Sequence, residues 1–239
     1  MTAGKFCIST CPVCAGPGFA KALSNGNNIM SFCIIAYIPA LTIRECPHCK
    51  VHVVQEDTLS GNTIGATYWT DGKREAKMLP NHPWLVKCPI CAGLFWVDEA
   101  LEVDTGFEAA EGKRKVLAPS EKNLLGFLAG TTLPRDEELH LRLTAWRSAN
   151  DAWRWKPNAT MAFSKEQAQN LHALSEMLDE TKQNQQILKA EIAREMGEFR
   201  KCLRLLSHPF DKNYDHAAGF IRKLAEEKTQ AVRQFLPGK

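Results

Sequence analysis

Four cysteines in two pairs, Cys46-Pro47-His48-Cys49 and Cys88-Pro89-Ile90-Cys91, carry the clearest chemistry in this chain. A Cys-x-x-Cys turn aims two thiolates at one point. Two such turns supply the four soft ligands of the tetrahedral set that zinc prefers. Thiolates bind only when deprotonated, and the metal then contributes folding free energy to the segment that holds it. With all four positions taken by protein sulfur, such a site is closed to water and substrate, which makes it structural rather than catalytic. His48 lies inside the first turn; with four thiolates present it is expected as an exposed turn residue, not a ligand.

The leading segment carries Cys7, Cys11, Cys14 and Cys33, which are expected either to hold a second zinc or to be incidental residues of a leader spanning 1–43. The Cys7-x-x-x-Cys11-x-x-Cys14 spacing also occurs around iron–sulfur clusters in radical enzymes that use S-adenosylmethionine. That chemistry needs alternating strands and helices behind the motif, and the helical signals here come without them. The run from Cys11 to Gly16 echoes Cys88 to Gly93, which suggests a duplicated turn. No βαβ pattern surrounds any pair, which weighs against a thioredoxin-like redox role. Eight of the nine cysteines precede residue 92, six of them in Cys-x-x-Cys spacings, so reduced, metal-bound thiolates in a cytoplasmic setting are expected.

Composition narrows the classes further. The 239 residues, 44% hydrophobic and 24% charged, suit an ordered globular chain of one or two domains. Residues 1–115 carry 11 Lys+Arg against 11 Asp+Glu, so the cysteine-rich half lacks the concentrated positive charge that phosphate binding uses. The first 30 residues lack the pattern of a secretory signal. The apolar run Ile29–Ile43 is shorter than the roughly 20 residues a membrane helix needs and contains Ser31 and Pro39. A buried strand or short core helix is expected there, and no membrane attachment.

Two kinds of element must position the cysteines. Thr63–Thr70 favours a strand, Asp71-Gly72 is the pair of a type I′ turn, and Lys73–Met78 returns. Trp84–Lys87 leads into the second cysteine turn and Leu94–Val97 leaves it, so strands feed the cysteine turns in the manner of a zinc ribbon over residues 44–104. The Asp71-Gly72 hairpin accounts for the unusually long separation of the two pairs. The stretch 44–100, through Cys46–Cys49, Tyr68–Lys73 and Lys87–Trp96, resembles small bacterial zinc-ribbon proteins. That resemblance implies bound zinc and carries over no activity.

A polar stretch at 105–119 reads as a linker, and helical signals dominate 120–239. Pro134 before Asp136, Glu137 and Glu138 marks a helix start, with Leu139, Leu143, Trp146 and Trp153 following at helical spacing. Ser164 and Gln167 form a capping box, and Leu171, Leu174 and Leu178 share the face of the helix it opens. Further helices are expected over about Thr181–Met196, with Gly197 as the stop, over Phe199–Leu206, and over about Tyr214–Phe235. Ile187–Leu206 resembles a tetratricopeptide-type hairpin: small Ala190 and Ala193, a turn at Gly197-Glu198-Phe199, and inward Cys202 and Leu206. Lys189 and Pro209 depart from that pattern. The fold class is therefore α+β, a small β-rich zinc ribbon followed by an all-α helical-hairpin domain.

This organisation suggests a zinc-stabilised adaptor that binds a protein partner through its helices. The alternatives are a nucleic-acid-binding zinc ribbon and a metalloenzyme using the leading cysteines. For the former, Trp146, Trp153 and Trp155 sit among Arg142, Arg147, Arg154 and Lys156, as in a base-stacking platform, although helical spacing also suits core packing. Glu45, Glu56, Asp57 and Asp98, near the ribbon, read as solvated surface charges.

Overall fold

The structure, a computed structural model, describes residues 39–58, 62–79, 83–156 and 161–235. Cys7, Cys11, Cys14 and Cys33 lie outside them. The first hairpin joins β1 (Pro39–Glu45) to β2 (His52–Thr58) in antiparallel register, Glu45 opposite His52, with the first cysteine pair at its tip. A second hairpin joins β3 (Thr67–Trp69) to β4 (Arg74–Glu75), and a third joins β5 (Leu85–Lys87) to β6 (Leu94–Trp96) around the second cysteine pair. β7 (Glu102–Thr105) returns to pair with β1, giving the order β2-β1-β7.

Residues 105–119, expected as a linker, are bound closely to the sheets. After the single turn α1 (Phe107–Ala110), the chain hydrogen-bonds to Val54 through Arg114 and Val116 and to Lys87 through Leu117. This strap therefore touches both cysteine-bearing hairpins. Beneath them Val53, Val86, Phe95, Val97 and Ala100 form a small apolar core with Cys46 and Cys88.

Six longer helices follow among the described residues: α2 (Glu121–Gly130), α3 (Arg135–Asp151), α4 (Lys165–Met177), α5 (Gln183–Glu195), α6 (Phe199–Leu205) and α7 (Lys212–Glu226). Ser120 with Asn123 and Ser164 with Gln167 close reciprocal capping boxes on α2 and α4. Gly197 stops α5 with φ of 79°, its N–H and that of Glu198 reaching back to the carbonyls of Arg194 and Ala193. Leu171, Leu174 and Leu178 are all buried against Trp146 and Ile192. Ala190, Ala193, Cys202 and Leu206 are likewise buried, with Ala218, Ile221 and Ala225 of α7 completing a three-helix core.

The strand and helical parts meet through Leu85, which packs with Leu124, Leu141 and Ala145. The described residues form one compact unit. Among the described residues no helix is long and apolar enough to cross a membrane. The described end of the Ile29–Ile43 run is strand β1.

Local expectations are corrected at four places. Thr63–Ala66 is a turn, with Ala66 N–H bonded to Thr63 and Gly65 at φ of 70°, so β3 starts only at Thr67. Trp69 N–H bonds to Lys73 O, so the turn between them is the three residues 70–72: Gly72 N–H returns to Trp69, and Gly72 alone takes positive φ there. That is a type I turn closed by a glycine bulge, not the two-residue type I′ turn. α3 ends at Asp151, so Trp153 sits in the following turn. The last helix ends at Glu226, where Lys228 adopts a left-handed φ of 54° and Thr229 N–H caps Leu224. The chain then runs to β8 (Gln234–Phe235), which pairs with β3 in the order β4-β3-β8.

Candidate metal centre

The two cysteine turns have the same backbone. Lys50 N–H bonds to Cys46 O at 2.9 Å and Ala92 N–H to Cys88 O at 3.1 Å. Lys50 and Ala92 both take φ of 61°, and bonds from Cys46 N–H to Val51 and Cys88 N–H to Gly93 close the loops. In the second turn the N–H groups of Ile90 and Gly93 point at the sulfurs of Cys88 and Cys91, each at 3.4 Å. Such donors favour thiolate over thiol.

The four sulfurs lie within 4.8 Å of one another. Cys46 Sγ is 3.8 Å from Cys91 Sγ, and Cys49 Sγ is 3.7 Å from Cys88 Sγ. A tetrahedron with metal–sulfur bonds of ~2.3 Å has edges of about 3.8 Å, so the donor set fits a tetrahedral thiolate-binding ion such as zinc. Cys46 and Cys88 are fully buried, while Cys49 and Cys91 face solvent.

The thiols differ in acidity. Burial pushes Cys46 up to about 12, outweighing donation from the backbone at Cys49 and His48. Cys88 is also opposed by burial, yet the N–H groups of Cys91 and Ile90 bring it down to about 7. Four thiolates this close repel one another unless a cation sits between them.

His48 is exposed, as expected, and its Nε2 is 2.7 Å from Leu94 O on the opposite hairpin. A Cβ at residue 93 would come within 2.5 Å of the His48 ring, so Gly93 permits this contact between the two turns. The nearby carboxylates are engaged as surface groups. Glu45 pairs with Lys50 at 3.2 Å, Glu56 with Lys115, and Asp57 accepts from Gln55.

The tryptophan and arginine cluster does not form an exposed platform. Trp146 is buried and donates to Glu195 at 2.6 Å; Arg154 is buried with both its Nη groups on Asp71. Trp155 is exposed and meets Trp69 edge-on at 4.9 Å.

Sequence reasoning missed the polar network behind this cluster. Asp71, Asn150, Glu191, Arg194 and Glu195 are all fully buried. Asn150 donates to both Asp71 and Glu195, and Arg194 pairs with Glu191 and reaches the carbonyls of Thr229 and Ala231. Burial, with Glu191 and Asp71 nearby, pushes the Glu195 carboxyl well above the usual carboxylate range, against the pull of Arg194 and Trp146. The one signal in the sequence was the spacing of Glu191 and Arg194 on the same helix as the small residues Ala190 and Ala193.

A concavity lies between the β3–β4 hairpin and α3, with a volume of about 820 Å³. Trp84 stacks on His140 along its wall, ring centres 4.1 Å apart and planes 11° apart. Burial and the neighbouring Arg147 lower the pKa of His140, so the imidazole is neutral at physiological pH. No family model, curated protein or solved structure matches this chain.

Proposed function

We propose that this chain is a zinc-stabilised, non-enzymatic adaptor that binds a protein partner through its helical half. The observation that carries the reading is the cysteine cluster, whose sulfur spacing suits a tetrahedral ion with every position held by protein. Such an ion has no open coordination position, so its role is to hold two hairpins together in a zinc ribbon. The 114–117 strap bonds to both hairpins, and Leu85 packs the second of them against the helices. The metal thereby rigidifies one wall of the helical surface. The tightly packed α5–α6 pair, with Ala190 and Ala193 against Cys202 and Leu206, supports the likeness to a tetratricopeptide hairpin. A reducing cytoplasm would keep the thiolates available for metal.

The test is capture of partners by the tagged, zinc-loaded full chain from native lysate, with and without nuclease. A specific protein recovered in both conditions supports the adaptor. Recovery that disappears with nuclease transfers the reading to nucleic acid.

A further inference from the structure

The cleft between the β3–β4 hairpin and α3 holds an unbalanced set of charges. Lys73 is neutralised by Glu75 at 2.8 Å and Asp151 at 2.6 Å, and Asp151 is shared with Arg154. Arg74 and Lys77 are exposed on the same wall and have no ion pair among the described residues. Arg147 is half-buried on the facing helix. Among the described residues its guanidinium makes a single hydrogen bond, from Nε to the Asp71 carbonyl at 3.3 Å, because the Asp71 carboxylate is taken by Arg154 and Asn150. Gly72 lets the guanidinium lie against the hairpin tip, since a Cβ there would come within 3.2 Å of its Nη2. Burial lowers the pKa of Arg147, Arg154 and Arg74 lower it further, and Asp71 opposes them. A desolvated guanidinium with this surrounding gains from an incoming anion.

Two further features describe the rest of the ligand. Trp84 is 45% exposed although one ring face is covered by His140, so an apolar surface borders the cations. β4 is an edge strand of its sheet and lines the cleft, so an extended chain has backbone to run beside. From this charge complementarity we infer that the cleft receives an extended acidic segment of the partner protein. Its carboxylates pair with Arg147 and Arg74, and a neighbouring apolar side chain packs on Trp84. This rests on the adaptor reading and names the partner's chemistry. A nucleic-acid strand fits less well: Glu75 and Asp151 sit in the cleft, and the excess of two positive charges matches a few carboxylates better than a continuous phosphate backbone.

The experiment is fluorescence anisotropy of a labelled peptide of alternating Glu and Leu, titrated with the zinc-loaded full chain. A Gln-for-Glu peptide and a single-stranded oligonucleotide serve as comparison probes. The acidic peptide should bind, weaken as salt rises, and lose about tenfold or more in affinity in Arg147→Gln. Arg74→Gln and Lys77→Gln change only exposed charges and should each weaken binding without altering the circular dichroism spectrum; Trp84→Ala should also weaken it. Equal binding of the Glu and Gln peptides, affinity unchanged in all four variants, or tighter binding of the oligonucleotide would overturn the inference. Capture from lysate separates the two readings. A partner recovered equally by wild type and Arg147→Gln keeps the adaptor and removes this cleft, whereas acidic-peptide binding without any recovered partner removes the adaptor alone.

Discussion

The Asp71 carboxylate, at the tip of the β3–β4 hairpin, lies 2.6 Å from the Arg154 guanidinium, 83 residues away and just beyond the end of α3. Both side chains are almost completely shielded from water, and Asn150 completes the site by donating to Asp71 at 3.1 Å. This pair joins the strand-rich and helical parts where no metal acts. Removing one partner leaves the other charge buried and uncompensated, which typically costs more than the pair itself contributes.

Asp71→Ala should therefore destabilise the fold by about 3 kcal/mol, toward the lower end of the usual range because Asp151 still contacts Arg154. Adding Arg154→Met should recover part of that loss. Urea denaturation of the single and double variants measures both effects. A double variant as unstable as the sum of the two single changes would show that the residues do not act as a pair.

Cys88→Ser should lower bound metal by one equivalent per chain relative to the wild type, read by mass spectrometry of the metal content. The β5–β6 hairpin then loosens, and Leu85 loses its firm seat on Leu124 and Leu141. Thermal stability should fall while most of the helical circular dichroism signal persists, because α4–α7 have cores of their own. Unchanged metal content would refute the ligand assignment.

Gly93→Ala should push the His48 ring away from Leu94 and loosen the contact between the two cysteine turns. Overpacking of this kind costs about 1–3 kcal/mol. Faster release of the bound metal to a chelator is the expected readout. His48→Ala in the same chain should restore the wild-type rate by vacating the space. No restoration would mean that the strain lies in the backbone instead.

Glu195 gives the fold a pH dependence. Its folded pKa is raised by burial and by Glu191, so the native state holds a proton that the unfolded chain releases in the ordinary glutamate range. Its contribution is complete below that range. Stability should then fall by up to about 1.4 kcal/mol per pH unit until the folded carboxyl ionises. Glu195→Gln removes this component, so the difference between wild-type and variant urea midpoints should shift in favour of the variant as pH rises. A difference that stays flat with pH would show that Glu195 is ionised in the fold.

The features legible in the sequence were those set by short-range chemistry. The two Cys-x-x-Cys turns, the Ser164–Gln167 capping box and the Gly197 stop each depend on a few neighbouring residues, and each lies where expected. α2 carried a weaker signal because Asn123, not Glu or Gln, closes its box with Ser120. Lys228 ends α7 in a conformation usually given to glycine, so the sequence offers no stop there. Asp71 has the composition of an exposed turn, and only the distant Arg154 and Asn150 make it a buried anion. The cleft was hidden for the same reason: Arg147 and Arg74 face one another only once the hairpin lies against α3.

The pairing of β8 with β3 has a consequence for the order of assembly. Tyr68 and Trp69 pair with Phe235 and Gln234, so the first residue that completes the sheet lies 159 positions beyond Glu75, the end of the hairpin. At 5–20 residues per second a ribosome takes roughly 8 to 32 s to cover that distance. During that interval Trp69 lacks its outer strand, and for about the first half of it Asp71 waits for Arg154, so the nascent hairpin is a site for a chaperone or a premature pairing partner. The cysteine hairpins face no such delay, since Cys91 emerges only 45 residues after Cys46. Metal capture can thus precede, and template, the closure of the rest of the fold.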